Sequence, residues 1–200
     1  MSLWGAGEAT KPTWAADDSP VVDKQAVFAT ESGWVLRHYK KADQTEFWDE
    51  ILVAGDFGNT GGLEAVLGNA TIDGVYFEAT EIVAATTATV VVNYNEEVTV
   101  TVDGSNKPTL QVRDETTGGN VAGGAVYARG SGSNRLEFDF TAPAASKELR
   151  LNAQTLTTPG SSAIKDKGTN TASDLAFATG DVLGAEGVTK ASNNDRVTTS

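Results

Sequence analysis

The sequence predicts an all-β protein, and three observations lead to that fold class. The chain has 21 glycines among 200 residues, which is typical of a turn-rich protein rather than a helical bundle. Apolar residues alternate with polar ones over short runs rich in β-branched and aromatic residues. Turn signals separate these runs roughly every 8–14 residues, as in an antiparallel sandwich or barrel. We therefore expect an extended N-terminal arm and a small β-rich domain, followed by an antiparallel β-sandwich.

The composition excludes several kinds of site and partner. The chain has no cysteine and one histidine, His38, so it lacks disulfides, thiolate chemistry and any site that needs two imidazoles. The net charge of −12 argues against nucleic acid as a partner, because phosphates attract basic surfaces. No apolar stretch approaches the ~20 residues that span a bilayer. The first residues also lack the segments of a secretory signal, so we expect no membrane partner and assembly inside a cell.

The charge is uneven along the chain. Residues 1–85 hold 14 of the acidic and 5 of the basic residues, and all four tryptophans lie in the first quarter. Such asymmetry indicates regions with different roles. We expect residues 1–24 to form an extended arm, 25–75 a small β-rich region, and 76–200 a β-sandwich with a flexible C-terminal tail.

The arm carries two isolated tryptophans. Trp4 and Trp14 stand among glycine, alanine, proline and charged residues, a composition that cannot build a core of its own. The indoles therefore either fold back onto this chain or dock on a neighbouring subunit. Under the second interpretation, the interface residues are Leu3, Trp4, Trp14 and Trp34.

Two apolar runs follow the arm. The run QAVFATESGWVLRHY breaks at the turn signal Ser32-Gly33 into two short strands, with Trp34, Leu36 and His38 in phase on the second. The run EFWDEILVAG is either strand or helix, because it is too short for periodicity to decide. The segment LEAVLG, further on, favours one helical turn or two.

Residues 75–183 are predicted to be strands throughout. ATVVVNY has the β-branched content of a buried strand, and VTVTVDG alternates and stops at an Asp-Gly turn. RLEFDFTAP places Leu136, Phe138 and Phe140 on one face, and Glu137 and Asp139 on the other. ELRLNAQTL repeats this pattern, so each strand is expected to have one apolar and one polar face.

The second half resembles a repeat of large bacterial and cyanobacterial surface adhesins. The resemblance covers residues 88–177, through the runs VVVNYNEEVTVTVDGSNKPTLQVRD, AVYARGSGSNRLEFDFT, ELRLNAQTL and IKDKGTNTA. It implies an Ig-like, cadherin-like β-sandwich. In one departure from the family, Thr169 displaces Asn170 from its place in the closing motif. The matching residues are Tyr94, Glu96 or Glu97, Val98, Val100, Pro108, Leu110, Val112, Tyr127, Gly130, Ser131, Gly132, Leu136, Phe138, Phe140, Ile164, Asp166 and Gly168.

The first part resembles a different group, small virion proteins of tailed phages, in particular cyanophages. The resemblance covers roughly residues 1–55 and rests on MSLWG, KPTW, VFATESGWVLRHYKK and DEILVA. It implies a structural protein of the virion, assembled in the host cytoplasm. We expect a capsid decoration protein on the head surface, attached through residues 25–75 to the major capsid protein or other virion subunits. Self-association is a further candidate. The alternatives are a neck or tail protein, or an extracellular adhesin that binds host-surface glycans.

The sequence offers little for catalysis. His38 is interpreted as a strand histidine rather than a base, and Glu46, Asp49 and Glu50 as a solvated acidic face rather than an acid pair. The chain lacks a nucleophile elbow, a P-loop and a dinucleotide fingerprint. We therefore expect no enzyme activity and no cofactor.

Two ligand hypotheses remain open at this point. The adhesin resemblance implies calcium, for which the candidate carboxylates would be Asp103, Asp114, Asp139 and Asp166. However, the sequence has no DxDxDG-type loop, so we expect no metal. A glycan would need a stacking platform, for which the candidates are Tyr76, Phe77, Tyr94 and Tyr127. Each of these is also explained as strand packing.

Overall fold

The computed structural model describes residues 27–30, 33–39, 47–54, 67–187 and 196–200. Nearly all the regular structure in these ranges is β, which confirms the predicted fold class. Two short 3-10 turns cover Thr179–Asp181 and Ala185–Gly187. Among the described residues, no helix is long and apolar enough to cross a bilayer. The strands are β1 (Val27–Thr30), β2 (Gly33–Tyr39), β3 (Phe47–Ala54), β4 (Ile72–Phe77), β5 (Glu81–Ile82), β6 (Thr87–Thr101), β7 (Thr109–Leu110), β8 (Arg113–Asp114), β9 (Gly119–Asn120), β10 (Ala125–Arg129), β11 (Ser133–Thr141), β12 (Glu148–Arg150), β13 (Gln154–Thr155), β14 (Ala163–Asp166), β15 (Ala176–Phe177) and β16 (Arg196–Thr199).

The 15-residue strand β6 organises the larger sheet. The two runs ATVVVNY and VTVTVDG, predicted as strands, form this one continuous strand and end before the turn at Asp103-Gly104. β6 pairs antiparallel with β11, β4 and β14, and parallel with β1 at one position, Ala29 with Glu96. The sheet follows the order β3-β2-β1-β6-β11-β10-β7, with β4 and β14 also paired to β6.

A second sheet has the order β5-β16-β12-β8-β9. Its strand β16 comes from the C-terminal end of the chain and lies between β12 and β5. The side chain of Val197 is buried, and the backbone N–H of Thr199 donates to the carbonyl of Lys147 at 2.9 Å. The predicted flexible C-terminal tail is therefore wrong for residues 196–200, which are held inside a sheet. Residues 188–195 lie outside the described part of the chain.

One apolar cluster lies between the two sheets and makes the fold sandwich-like. Phe77, Leu136 and Phe138 come from the larger sheet, and Leu149 and Val197 from the smaller one. Each such side chain contributes about 1.5–3 kcal/mol on leaving water. β11 shows the predicted alternation, since its apolar positions are buried while Glu137 and Asp139 are partly exposed on the opposite face.

The expected boundary between residues 75 and 76 would cut through β4. Val75 is fully buried and pairs with Val92 on β6. The segment before β4 is also tied to the sandwich, since Asp174 donates its backbone N–H to the carbonyl of Ala70 at 2.8 Å. The sandwich therefore includes residues 67–77 as well.

Candidate association surface

The strands β1, β2 and β3 form the N-terminal end of the larger sheet, and this antiparallel three-stranded part is called the small sheet below. β1 and β2 make the hairpin predicted from the turn signal, with Phe28 opposite Val35. The run EFWDEILVAG, left open as strand or helix, contributes β3, which pairs along the whole of β2. Together with residues 67–75, this sheet is the described part of the predicted attachment region.

Trp34, one of the four predicted interface residues, is 2% exposed on β2. It lies opposite Ala29 on β1 and Val53 on β3, so its indole is enclosed by its own chain. An interface role for Trp34 stays a prediction, and it would need the sheet to open. Leu3, Trp4 and Trp14 lie outside the described residues, so their predicted role also stays a prediction.

The guanidinium of Arg37 fastens the small sheet to the sandwich. On β3, Asp49 accepts two hydrogen bonds, from Nε at 2.8 Å and from Nη2 at 2.9 Å. The same guanidinium lies 4.6 Å from the ring centroid of Phe28, and its Nη2 reaches Glu97 on β6 at 3.4 Å. Glu97 also contacts the ammonium of Lys167. Two cations thus meet two carboxylates at this junction, and Arg37 is the most buried of the four.

Sequence reasoning missed this junction. Arg37 stands two residues from the buried Val35, in phase with it on β2. A charged residue in phase with buried apolar positions is the available signal, because such a residue needs a partner when it is buried. Its partner Glu97 is 60 residues away, and no local pattern indicates that contact.

Other polar residues of the small sheet are paired across its strands. The Nε2 atom of His38 lies 2.9 Å from a carboxylate oxygen of Glu50, and both side chains are partly exposed. His38 is a strand histidine, as predicted. Asp49 and Glu50 are exposed, in agreement with the predicted solvated acidic face, whereas Glu46 lies outside the described residues.

Among the described strands, β3 lies at the end of its sheet and is longer than β1 and β2. Within the described ranges, β2 is its one strand partner. Ile51, in the middle of β3, is 55% exposed. In the described part of the chain, Val83 is the one other large apolar residue that is comparably exposed, at 59%. β3 therefore combines open backbone groups with an exposed apolar side chain.

The four aromatic residues considered as a glycan platform are all buried. Tyr76, Phe77, Tyr94 and Tyr127 are each at most 8% exposed. Burial, followed by the nearby Asp174, raises the pKa of the Tyr94 phenol, whose hydroxyl donates to the carbonyl of Asp174 at 3.1 Å. These residues pack the sandwich, and the platform hypothesis is wrong for them.

The four carboxylates considered for calcium lie in separate places and stabilise local structure. Asp103 accepts a hydrogen bond from the N–H of Ser161, and Asp166 accepts one from the N–H of Thr169. Asp139 accepts from Thr89 on β6 and from Arg129. Asp114 accepts from two N–H groups of its own turn. No group of three metal-ligating side chains occurs among the described residues.

No family model, no curated protein and no solved structure matches the chain.

Proposed function

We propose that the chain is a structural virion protein, a capsid decoration protein that binds the outside of a phage head. Its N-terminal region would attach to the major capsid protein or another virion subunit, and its Ig-like sandwich would be displayed outward. Support comes from the resemblance of residues 1–55 to phage virion proteins and of residues 88–177 to displayed adhesin repeats.

The observation that supports the proposal most is the way the N-terminal strands of the described chain are joined to the sandwich. A small N-terminal sheet joins a larger sandwich through the pairing of Ala29 with Glu96 and the contact of Arg37 with Glu97. A decoration protein needs an attached part and a displayed part that are firmly connected. The ion pair of the buried Arg37 with Glu97 contributes to such a connection, because separating the two parts would break it.

The adhesin alternative is less well supported, because the four aromatic residues considered as its glycan platform are buried. Host glycans therefore have no platform among Tyr76, Phe77, Tyr94 and Tyr127. The burial of these residues does not distinguish a neck or tail position from a head position, because attachment at each would use the same N-terminal region. Gold labelling of particles distinguishes the three positions directly.

The test uses phage particles assembled without this chain. Full-length protein, a fragment of residues 67–200 and the double variant Trp4→Ala/Trp14→Ala are each mixed with the particles and sedimented. We expect the full-length protein to bind, the fragment to remain in solution, and the double variant to bind at least tenfold more weakly, which corresponds to about 1.4 kcal/mol. Val83→Ala, in the sandwich, is the matched control and should bind normally.

Two outcomes would overturn the proposal. Either the fragment of residues 67–200 binds as well as the full chain, or no protein is found on particles grown with the chain present. The free energy of unfolding of the double variant is also measured in the absence of particles. We expect a change within about 1 kcal/mol, as for a surface substitution, whereas a large loss would place the indoles in the chain's own core.

A further inference from the structure

The C-terminal strand β16 fills the space between β5 and β12, two described strands that do not pair with each other. It pairs antiparallel with β12 and parallel with β5. Its backbone is bonded on both sides, since the N–H of Thr199 donates to the carbonyl of Lys147 at 2.9 Å and the N–H of Ser200 donates to the carbonyl of Ile82 at 3.0 Å. Residues 196–200 are therefore held as an extended peptide is held in β-strand addition, through main-chain hydrogen bonds.

The two walls of this space are held by contacts that do not involve β16. On one side, β12 pairs with β8, and Leu149 lies opposite Asp114. On the other side, the turn after β5 is tied to the end of β11: the N–H of Ala85 donates to the carbonyl of Ala142 at 3.2 Å, and the N–H of Ala142 donates to the carbonyl of Thr86 at 2.9 Å. Because the walls have supports of their own, we expect them to keep their positions when β16 leaves.

The residues that precede β16 in the described chain are attached to the other sheet. The 3-10 turn Ala185–Gly187 lies against the larger sheet, where a Cβ on Gly187 would come 3.1 Å from the ring of Tyr76. Leu183 is buried with Tyr76 and Val91 on that sheet. β16 lies in the second sheet, so its attachment is separate from that of the turn before it.

The side chains of β16 have different surroundings at successive positions. Val197 is buried in the core between the sheets, whereas Thr198 is exposed. The hydroxyl of Thr199 donates to the carbonyl of Ala144 at 2.7 Å and accepts from the N–H of Lys147 at 2.9 Å. An apolar side chain at position 199 would leave both backbone groups without this partner. The space therefore selects an apolar residue and, two positions later, a hydroxyl group.

We propose that the space between β5 and β12 is a binding site for an extended peptide segment. Its ligand is a strand in which a β-branched apolar residue is followed two positions later by threonine, and residues 196–200 are the ligand bound in this structure. Main-chain hydrogen bonds supply the affinity, and the two buried side chains supply the specificity. Another peptide segment with this pattern binds there by displacing β16. This inference concerns the sandwich and stands whether or not the protein decorates a capsid.

The first experiment separates β16 from the rest of the folded chain. A specific protease site with glycine-serine spacers is inserted between Ser192 and Asn193 of the full-length protein, which is cut after folding, and a denaturing gel verifies the cut. We expect the C-terminal piece to remain with the body on gel filtration. A fluorescent synthetic peptide of residues 193–200, added in excess, should then replace the piece, which is measured as a rise in fluorescence anisotropy.

The uncut protein with the same insertion is the matched control. Its own β16 is tethered beside the site and is therefore present at a high effective concentration, so the uncut protein should bind at least tenfold less peptide than the cut protein.

The second experiment tests the recognition of the hydroxyl group with two variant peptides that compete with the fluorescent one. Thr199→Val removes the hydroxyl that contacts two backbone groups of the site, and it should weaken binding at least tenfold. Thr198→Val makes the same chemical change at the exposed neighbour and should leave the affinity within about twofold of the unchanged peptide.

Three results would overturn the proposal. The cut protein loses its cooperative thermal transition, which would make β16 an integral part of the fold rather than a bound ligand. The cut protein takes up no labelled peptide, whether its own piece stays or leaves. The two variant peptides bind equally well, which would show that the site does not select the residue at position 199.

Discussion

Arg37 on β2 and Glu97 on β6 are separated by 60 residues in sequence, yet Arg37 Nη2 lies 3.4 Å from Glu97 Oε1. Arg37 also donates a bidentate pair of hydrogen bonds to Asp49, and its guanidinium lies over the ring of Phe28. One buried side chain thus links the hairpin, the end strand and the sandwich. Arg37 Nη2 reaches both carboxylates, which a lysine ammonium at this position could not do with the same geometry.

Replacing Arg37 should therefore loosen the N-terminal sheet. We expect Arg37→Lys to lower the free energy of unfolding by about 1–2 kcal/mol, because the fork geometry is lost and the buried cation pairs less well with Asp49 and Glu97. Chemical denaturation measures the change. Arg196→Lys, at an ion pair with Glu148 in which both side chains are exposed, is the control and should change stability by less than about 0.5 kcal/mol. Equal effects at the two positions would contradict a special role for Arg37.

The GSGS turn offers a matched pair of glycines. Gly130 has a φ of +110°, and a Cβ there would lie 2.1 Å from the carbonyl oxygen of Arg135. Gly132 has a φ of +88° and open space around it. We expect Gly130→Ala to cost about 3–4 kcal/mol, through clash plus backbone strain, and Gly132→Ala about 1–2 kcal/mol, through strain alone. Thermal melting of both variants checks the order, and the reverse order would mean that the turn can relax around the clash.

The C-terminal strand can be tested by two neighbouring substitutions. Val197 is buried on β16, whereas Thr198 is exposed. We expect Val197→Ala to destabilise the protein by about 1–2.5 kcal/mol, because it leaves a cavity between the sheets. Thr198→Ala should have an effect within about 0.5 kcal/mol. If denaturant midpoints show no difference between the two, residues 196–200 behave as the tail that the sequence suggested.

The stability of the second sheet should depend on acid pH through Asp114. Burial works to raise the pKa of Asp114, but hydrogen bonds from Thr117 and Thr116 and the charge of Lys147 outweigh it and hold the pKa below its ordinary value. A carboxyl group whose pKa is lower in the folded state contributes stability above its unfolded pKa, near 4. That stability is lost as the pH falls through the folded pKa.

The measurement is a series of denaturation curves between pH 7 and pH 3 for the wild type and Asp114→Asn. Asparagine keeps an oxygen that can accept the turn hydrogen bonds but does not titrate. We expect the variant to be less stable at neutral pH and to lose less stability on acidification. Parallel curves for the two proteins would show that other carboxyl groups account for the acid sensitivity.

The sequence predicted those parts of the fold whose structure is determined by a short local pattern of residues. Alternation along β11 identified Leu136, Phe138 and Phe140 as core residues, because the side chains of a half-buried strand alternate with period two. The turn at Ser32-Gly33 likewise separated β1 from β2. In both cases the physical cause lies within a few neighbouring residues, so it is visible locally.

The rest depended on partners that are distant in sequence. The RVTT segment of β16 looks like a polar tail, and its burial is determined by β5 and β12. The burial of Trp34 and Arg37 depends on β3 and β6, whose pairing with β2 and β1 no local pattern indicates. The candidate association surface was predicted only as a region, because the open edge of β3 depends on the order of strands in the sheet.

The pairing of β1 with β6 also determines how the molecule responds to a mechanical pulling force. A pull on the N-terminal sheet enters the sandwich at Glu96, between the stretch of β6 held by β4 and the stretch held by β14. When the pull runs along β6, the flanking backbone hydrogen bonds are loaded together in shear, whereas bonds at the end of a strand would be peeled one after another. A protein fixed at its N-terminal end and dragged by flow would therefore yield at the N-terminal sheet before the sandwich opens.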